Sequence, residues 1–274
     1  MEEEDELLLS IQLLLKENNE EEEKYSQENR VKAIKDITGY EFNDPIILQQ
    51  AFTHHSYEEG NSSSYDRLEY IGDSVLNFLI AKEHFLMYPD LDPGKLTRLR
   101  SANVDTEKLA RVSFKHELYK LLRHNHPHLD RQINEFRDAI KEYPLHSTGL
   151  IDTPKALADI VESLVGAIYI DSNSSIDITW EVVKNLLQPM ITPENLQTHP
   201  VTMLNEMCQK KGLEVKFVDL WSAKGEIEVL VDGEFVGKGI YEDKKVIAVN
   251  RAARNAYIQI VEKLHQENIG HDPS

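Results

Sequence analysis

Between Lys155 and Ile168 the chain reads Lys155-Ala156-Leu157-Ala158-Asp159-Ile160-Val161-Glu162-Ser163-Leu164-Val165-Gly166-Ala167-Ile168, an apolar helical stretch broken by two carboxylates one turn apart. A second stretch, Asp66-Arg67-Leu68-Glu69-Tyr70-Ile71-Gly72-Asp73-Ser74-Val75-Leu76, carries acids at 66, 69 and 73, a spacing that stacks them on one helix face. Apolar residues at 68, 71, 75, 76, 78 and 79 commit the rest of that helix to a core. Ionised carboxylates brought into a core without a partner are costly, and few bases lie near these acids in the chain. A divalent cation is the simplest compensating charge. The donors are all oxygens, which suits Mg²⁺ or Mn²⁺ and not Zn²⁺. A lone pair of acids at i and i+3 is ordinarily a solvated face. Two sets on two apolar helices make the cation site an equal alternative, and spacing goes no further.

Around these stretches the chain reads as helical over 31–198. The expected elements are Val31 to Thr38 stopped by Gly39, a helix started by Asp44-Pro45, a loop over Gly60 to Ser64, a long helix from Tyr65 to His84, and one from Leu96 to Val112. His124 to Ser147 is polar and weakly patterned. Thr153-Pro154 predicts a helix start, residues 176–188 a further helix, and Pro193 to Pro200 a linker. The character then changes. Pro200 to Lys211 is a helix stopped by Gly212, Val215 to Trp221 and Ile227 to Val231 are strand-like, Asp232-Gly233 marks a hairpin, and Lys244 to His265 is a closing helix.

Charge and targeting signals narrow the partners. The net charge is −18, and residues 1–30 hold 11 acids against 3 bases, including the run Glu20 to Glu23. That composition predicts an acidic disordered tail, in which Leu7 to Leu15 is expected to form a short frayed helix. No segment is strongly basic, so any nucleic-acid binding should be modest and salt-sensitive. No apolar run is long enough to span a bilayer, the acidic start is unlike a secretory or transit signal, and Cys208 stands alone. A protein of the nucleus or cytoplasm is expected.

Asp66 to Leu76 resembles the signature of the ribonuclease III family, and Pro154 to Leu164 resembles that family's second acidic motif in its Dicer form. Arg100-Ser101-Ala102-Asn103 and Thr53-His54-His55-Ser56-Tyr57 fit the same pattern in the expected order. The whole is similar to the plant ribonuclease-three-like branch. The resemblance implies an all-α endonuclease domain over 31–195 and, over 199–266, a small α-β-β-β-α double-stranded-RNA-binding domain. It implies that Glu69, Asp73, Asp159 and Glu162 hold Mg²⁺, with Mn²⁺ as substitute, and that Asp73 and Glu162 are the catalytic pair. The implied reaction is in-line hydrolysis that needs no side-chain nucleophile. A homodimer cuts both strands of a duplex, leaving 5′ phosphates, 3′ hydroxyls and two-nucleotide 3′ overhangs.

Other residues take roles by the same carry-over. Lys155 either pairs with Asp159 at i+4 or contacts the scissile phosphate. Asp66 is expected at the RNA-facing edge, and Asn103 either near the RNA or in helix packing. Tyr70 either packs into the partner subunit or is an ordinary core aromatic. Pro93-Gly94 departs from the acidic-Gly pair common in the family. His54 and His55 are read as helix-end hydrogen-bonding groups, and His116, His124, His126 and His128 as surface. In the C-terminal module Glu206 and Gln209 are expected in the RNA minor groove, with Lys244, Lys245 and Arg251 on phosphates. The lysine cluster usual at this point is thinned, with Val246 and Val249 where lysines are common. A module for protein contacts, in a duplex-binding or dimerising regulator that does not cut, is the alternative function.

Overall fold

The computed structural model describes residues 27–57 and 63–269. The expected tail helix over Leu7 to Leu15, the run Glu20 to Glu23 and part of the Gly60 to Ser64 loop lie outside the described residues. The chain divides into two compact units. One comprises the described residues up to His128 together with Lys155–Ile191, and the other comprises Leu129–Pro154 and Thr192–Ser274. The sequence reading ran one domain continuously over 31–195. Leu129–Pro154 instead groups with the C-terminal residues: Asn250 and Arg251 donate to the Gly149 and Leu150 carbonyls, Arg254 to the Tyr143 hydroxyl and Lys244 to Asp152.

The first unit is all helical. Helix α1 (27–38) ends at Gly39, whose φ of +72° is the left-handed conformation a helix stop needs. Helix α2 (Pro45–Ala51) is capped by Asp44, which accepts from the Ile46 N–H at 2.8 Å. Helix α3 (Asp66–Met87) begins at the acidic run. The single helix expected over Leu96 to Val112 is in fact two, α4 (Pro93–Val104) and α5 (Thr106–Lys115). Asp105 divides them: its backbone is extended and its carboxylate accepts from the Lys108 N–H, so it caps α5.

In the second unit, helix α6 (Leu129–Glu142) lies in the polar, weakly patterned stretch from His124 to Ser147. Leu129, Ile133 and Phe136 are its buried stripe. The first unit resumes with α7 (Lys155–Asp171) and α8 (Ile176–Leu186). Residues of α7 from Ala156 to Ile168 are buried except Glu162, so α7 is the central helix of its unit. At its end Asp171 accepts from the Tyr40 hydroxyl and from the Asn43 and Asp44 N–H groups, tying the α1–α2 turn to it. Lys108 of α5 is buried and donates to the carbonyls of Leu187 and Pro189 just past α8, while His116 bonds the Leu186 carbonyl. His116 is therefore a packing residue, not a surface one.

α3 and α7 cross backbone to backbone. A Cβ at Gly72 would stand 1.8 Å from the Glu162 carbonyl oxygen, and one at Gly166 would stand 2.1 Å from the Leu68 carbonyl oxygen. No residue but glycine fits either position, and this crossing sets the distance between the two acidic sets.

The second unit continues with α9 (Pro200–Lys211), stopped by Gly212 at φ +68°. Three strands follow, β1 (Val215–Leu220), β2 (Glu226–Val231) and β3 (Glu234–Ile240), with a one-turn helix α10 (Trp221–Lys224) between the first two. The sheet is antiparallel in the order β1-β2-β3. Asp232 and Gly233 both have positive φ, as the tight hairpin requires. Helix α11 (Lys245–Ile269) packs on β3 through small residues: a Cβ at Gly239 would strike the Ala248 carbonyl at 2.2 Å. Leu204, Cys208, Ile227, Val229, Ala252, Ala253 and Ala256 form this unit's core. Cys208 is buried, and burial pushes its thiol pKa up, so it is inert packing. The expected α-β-β-β-α order is present, with α10 added.

Candidate active site

The α3–α7 crossing brings carboxylates from the two helices to one point. Glu69, Asp159 and Glu162 each present an oxygen within 4.8 Å of the others. They line a cleft of about 360 Å³ whose walls include Tyr70, Asp73, Ser74, Thr106, Lys155 and Ala158. Asp159 is only 6% exposed. Its Oδ1 accepts from the Lys155 ammonium at 2.5 Å and its Oδ2 from the Tyr65 hydroxyl at 3.2 Å. Lys155 also donates to Glu69 Oε1 at 2.7 Å and so bridges the two helices.

The electrostatics follow from burial and like charge. Among the described residues no ion pair to Glu162 is formed, and its pKa is pushed up to about 8 by burial first, then by Asp73, Asp159 and Glu69, against the opposing pull of Lys155. Burial also raises Asp159, against the opposing pull of Lys155. Burial works to lower the pKa of Lys155, but its bonds to Asp159 and Glu69 outweigh that and hold it above the ordinary lysine range. Three carboxylates thus share one ammonium, an arrangement short of positive charge. Hard oxygen donors at this spacing, one of them with its pKa raised by burial and like charge, fit a small divalent ion.

Asp73 does not join the converging trio. It is exposed at the cleft wall, and its Oδ1 accepts from the Asn77 amide at 2.8 Å. Arg100 in turn donates to the side-chain Oδ1 of Asn77, which places Arg100 in a hydrogen-bond relay behind Asp73. Asp66 is exposed outside the trio and accepts from the Ser64 hydroxyl.

Asn103 is a correction. It is fully buried, its amide donates to the Leu99 and Ile191 carbonyls, and its Oδ1 accepts from the Ile191 N–H. Helix packing uses every face of that side chain, and none is left for RNA. Arg251 is half-buried; it donates to the Leu150 and Ile240 carbonyls and lies over the Tyr241 ring, 4.8 Å from its centroid. Lys244 and Lys245 are paired with Asp152 and Asp219. Glu206 and Gln209 are exposed on one face of α9. Tyr70 is 78% exposed, so the core alternative for it is excluded. His54 is buried and its Nδ1 accepts from the Ser56 N–H, in line with a hydrogen-bonding role at a turn.

Sequence reasoning missed Tyr65 and Asn77. Asn77 was legible as a polar residue at i+4 from Asp73. Tyr65 was not, because it precedes α3 in the position a small capping residue usually takes, and only the fold turns its ring inward toward Asp159.

The Ribonuclease III domain family matches residues 66–173, the span that contains both acidic helices. The chain is 49% identical over 239 residues to ribonuclease 3-like protein 3 of Oryza sativa subsp. japonica, covering 86% of this chain and 80% of that one. It is 40% identical over 232 residues to ribonuclease 3-like protein 2 of the same organism, covering 81% and 72%. Endoribonuclease Dicer homolog 1 of Arabidopsis thaliana is 43% identical over 235 residues, 82% of this chain but 12% of that far longer protein. The chain therefore belongs to the ribonuclease III family and is an endoribonuclease, a hydrolase of RNA phosphodiester bonds.

Proposed function

We propose that this endoribonuclease cleaves double-stranded RNA as a homodimer, with Mg²⁺ or Mn²⁺ bound, and leaves 5′ phosphates, 3′ hydroxyls and two-nucleotide 3′ overhangs. The observation that carries the reading is the meeting of Glu69, Asp159 and Glu162 in a cleft with a deficit of positive charge. These three residues hold the cation, with Asp73 completing the set from the cleft wall. The bound cation supplies an activated water at neutral pH and stabilises charge on the leaving oxygen. A cation held there would favour the ionised form of Glu162. Tyr65 fixes one oxygen of Asp159 and leaves the other facing the cleft. Lys155 exchanges one of its two carboxylate partners for a phosphate oxygen of the RNA, and so positions the scissile group over the acids. The catalytic machinery is in the first unit, within the span 31–195, and the duplex-binding module is 199–266.

The homodimer rests on α3, where Tyr70, Phe78 and Phe85 are 78%, 54% and 71% exposed on one broad face beside the acidic run. Single apolar residues on a surface are ordinary, but aromatic side chains grouped along one helix fit an interface. RNA contacts are assigned to Glu206 and Gln209 on the exposed face of α9, to Lys244 and Lys245, and to Asp66 at the rim.

Incubating a labelled duplex with the purified chain in Mg²⁺, in Mn²⁺ and in EDTA tests this reading. Cleavage in either ion and none in EDTA is expected. Glu162→Gln should bind the duplex as the wild type does and cut it at least about a hundredfold more slowly, since it removes a ligand and keeps the shape. Binding without cleavage by the wild type in both ions would instead favour a regulator that does not cut.

A further inference from the structure

Within the second unit, the segment that follows α6 lays a carboxylate at the start of α11. Asp152 accepts from the Lys244 ammonium at 2.5 Å and from the Tyr241 hydroxyl at 3.4 Å. Lys244 immediately precedes α11, whose 25 residues put the positive end of a long helix dipole at this corner. A cationic side chain and a hydroxyl donor converging on one carboxylate, beside a helix start, make an anion-binding corner already filled by an anion of the chain itself. Lys245 is matched in the same way by Asp219. Both lysines assigned to RNA are thus neutralised by acids of their own unit.

The surroundings show which part of this contact is free to change. Leu150 and Ile151, just before Asp152, are buried, and the Leu150 carbonyl is held by Arg251. The backbone of the segment is therefore anchored. The two charged side chains are not: Asp152 is 27% exposed and Lys244 51% exposed. Turning the Asp152 side chain away releases Lys244 and the Tyr241 hydroxyl without unpacking any apolar residue.

We propose that Asp152 is a built-in competitor for phosphate, and that the surface formed by Lys244, Tyr241 and the start of α11 takes a backbone phosphate of duplex RNA in exchange for the Asp152 carboxylate. This rests on the duplex-binding reading above and deepens it. Every phosphate contact at this corner has to displace an exposed ion pair, which lowers affinity for any polyanion that does not present a phosphate at that one place.

The test measures affinity of the full-length chain for a duplex RNA of about 20 base pairs, longer than the about 16 such a module spans. EDTA is present so that binding is read without cleavage. Asp152→Asn is expected to bind about two- to fivefold more tightly at fixed salt, the range set by the strength of an exposed ion pair, and Lys244→Met more weakly. In the Lys244→Met background the gain from Asp152→Asn should vanish. Asp152→Ser repeats the measurement with a second neutral side chain, Asp152→Glu should keep wild-type affinity, and a thermal melt of each variant reports folding. No gain in either neutral variant overturns the proposal. So does a gain that survives undiminished in Lys244→Met, which would be the generic effect of removing a negative charge from an acidic protein. A wild type and variants that all fail to bind duplex overturn the duplex reading as well, whereas loss of cleavage with binding intact touches only the nuclease chemistry.

Discussion

At the scale of single residues the site is a problem of too many negative charges, and each neighbour can be assigned a share of the solution. Lys155 neutralises part of Glu69 and Asp159, Tyr65 donates to Asp159, and Glu162 is left to be satisfied by a proton or a cation. The sign of the pH dependence follows. A carboxylate whose pKa is raised by folding disfavours the folded state once the pH exceeds its ordinary value. The cation-free protein should therefore lose thermal stability as the pH rises from about 5 toward the raised pKa of Glu162, about 8. A bound cation reverses that penalty, so the rise in melting temperature on adding Mn²⁺ should be larger at pH 8 than at pH 6. Below the raised pKa, affinity should fall about tenfold per pH unit, because one proton has to leave as the ion binds. Equal stabilisation by Mn²⁺ at the two pH values, read by scanning fluorimetry, would contradict this account. Tyr65→Phe removes one donor from a buried carboxylate. It should weaken Mn²⁺ binding several-fold with little change in duplex affinity, measured by titration calorimetry and anisotropy.

Helices, not loops, hold these residues, and the crossing of α3 and α7 is the element on which the site depends. Gly72 and Gly166 let the two backbones touch, which is what brings Glu69 of one helix to Asp159 and Glu162 of the other. Gly72→Ala places a methyl group 1.8 Å from a carbonyl oxygen, and because that oxygen belongs to backbone the helices have to separate. A loss of about 3 kcal/mol is expected, seen as a lower denaturation midpoint, with metal affinity falling in parallel because the acids move apart. A variant as stable as the wild type would show that the helices have room the geometry denies. The same scale explains two differences from the sequence reading. Asp105 splits what looked like one helix because its carboxylate caps the next one, a local signal visible in Asp105-Thr106-Glu107 but outweighed by the apolar periodicity around it. Helix α6 was missed although Leu129, Ile133 and Phe136 recur at helical spacing, because the polar residues and prolines on either side dilute the pattern.

For the whole molecule the decisive question is how many copies act together. The exposed aromatic face of α3 lies next to the acids, so a second copy packed there would bring a second set of acids near the first. Tyr70→Asp combined with Phe85→Glu should shift the sedimenting species from dimer to monomer and abolish double-strand scission. Retention of dimer by the double variant, measured by analytical ultracentrifugation, would remove α3 from the interface. Charge operates at this scale too. With a net charge of −18 and both Lys244 and Lys245 paired internally, duplex affinity rests on few contacts and should weaken steeply as salt rises.

Sequence alone determined the helical class of the first region, the α-β-β-β-α order of the second, and the two sets of acids, because helical periodicity, hairpin residues and buried charge are properties of neighbours along the chain. It also carried the family, since the motifs around Asp66 to Leu76 and Pro154 to Leu164 are contiguous. Tertiary structure decided which acids meet: Glu69, Asp159 and Glu162 converge, while Asp73 stands at the wall with Asn77. Packing turned Tyr65 inward, buried Asn103, committed Arg251 to carbonyls and set Asp152 against Lys244. Those outcomes depend on residues far apart in the chain, whose separation in space is fixed by the closeness of two glycine-bearing helices and by the packing of the C-terminal unit, quantities that no local pattern encodes.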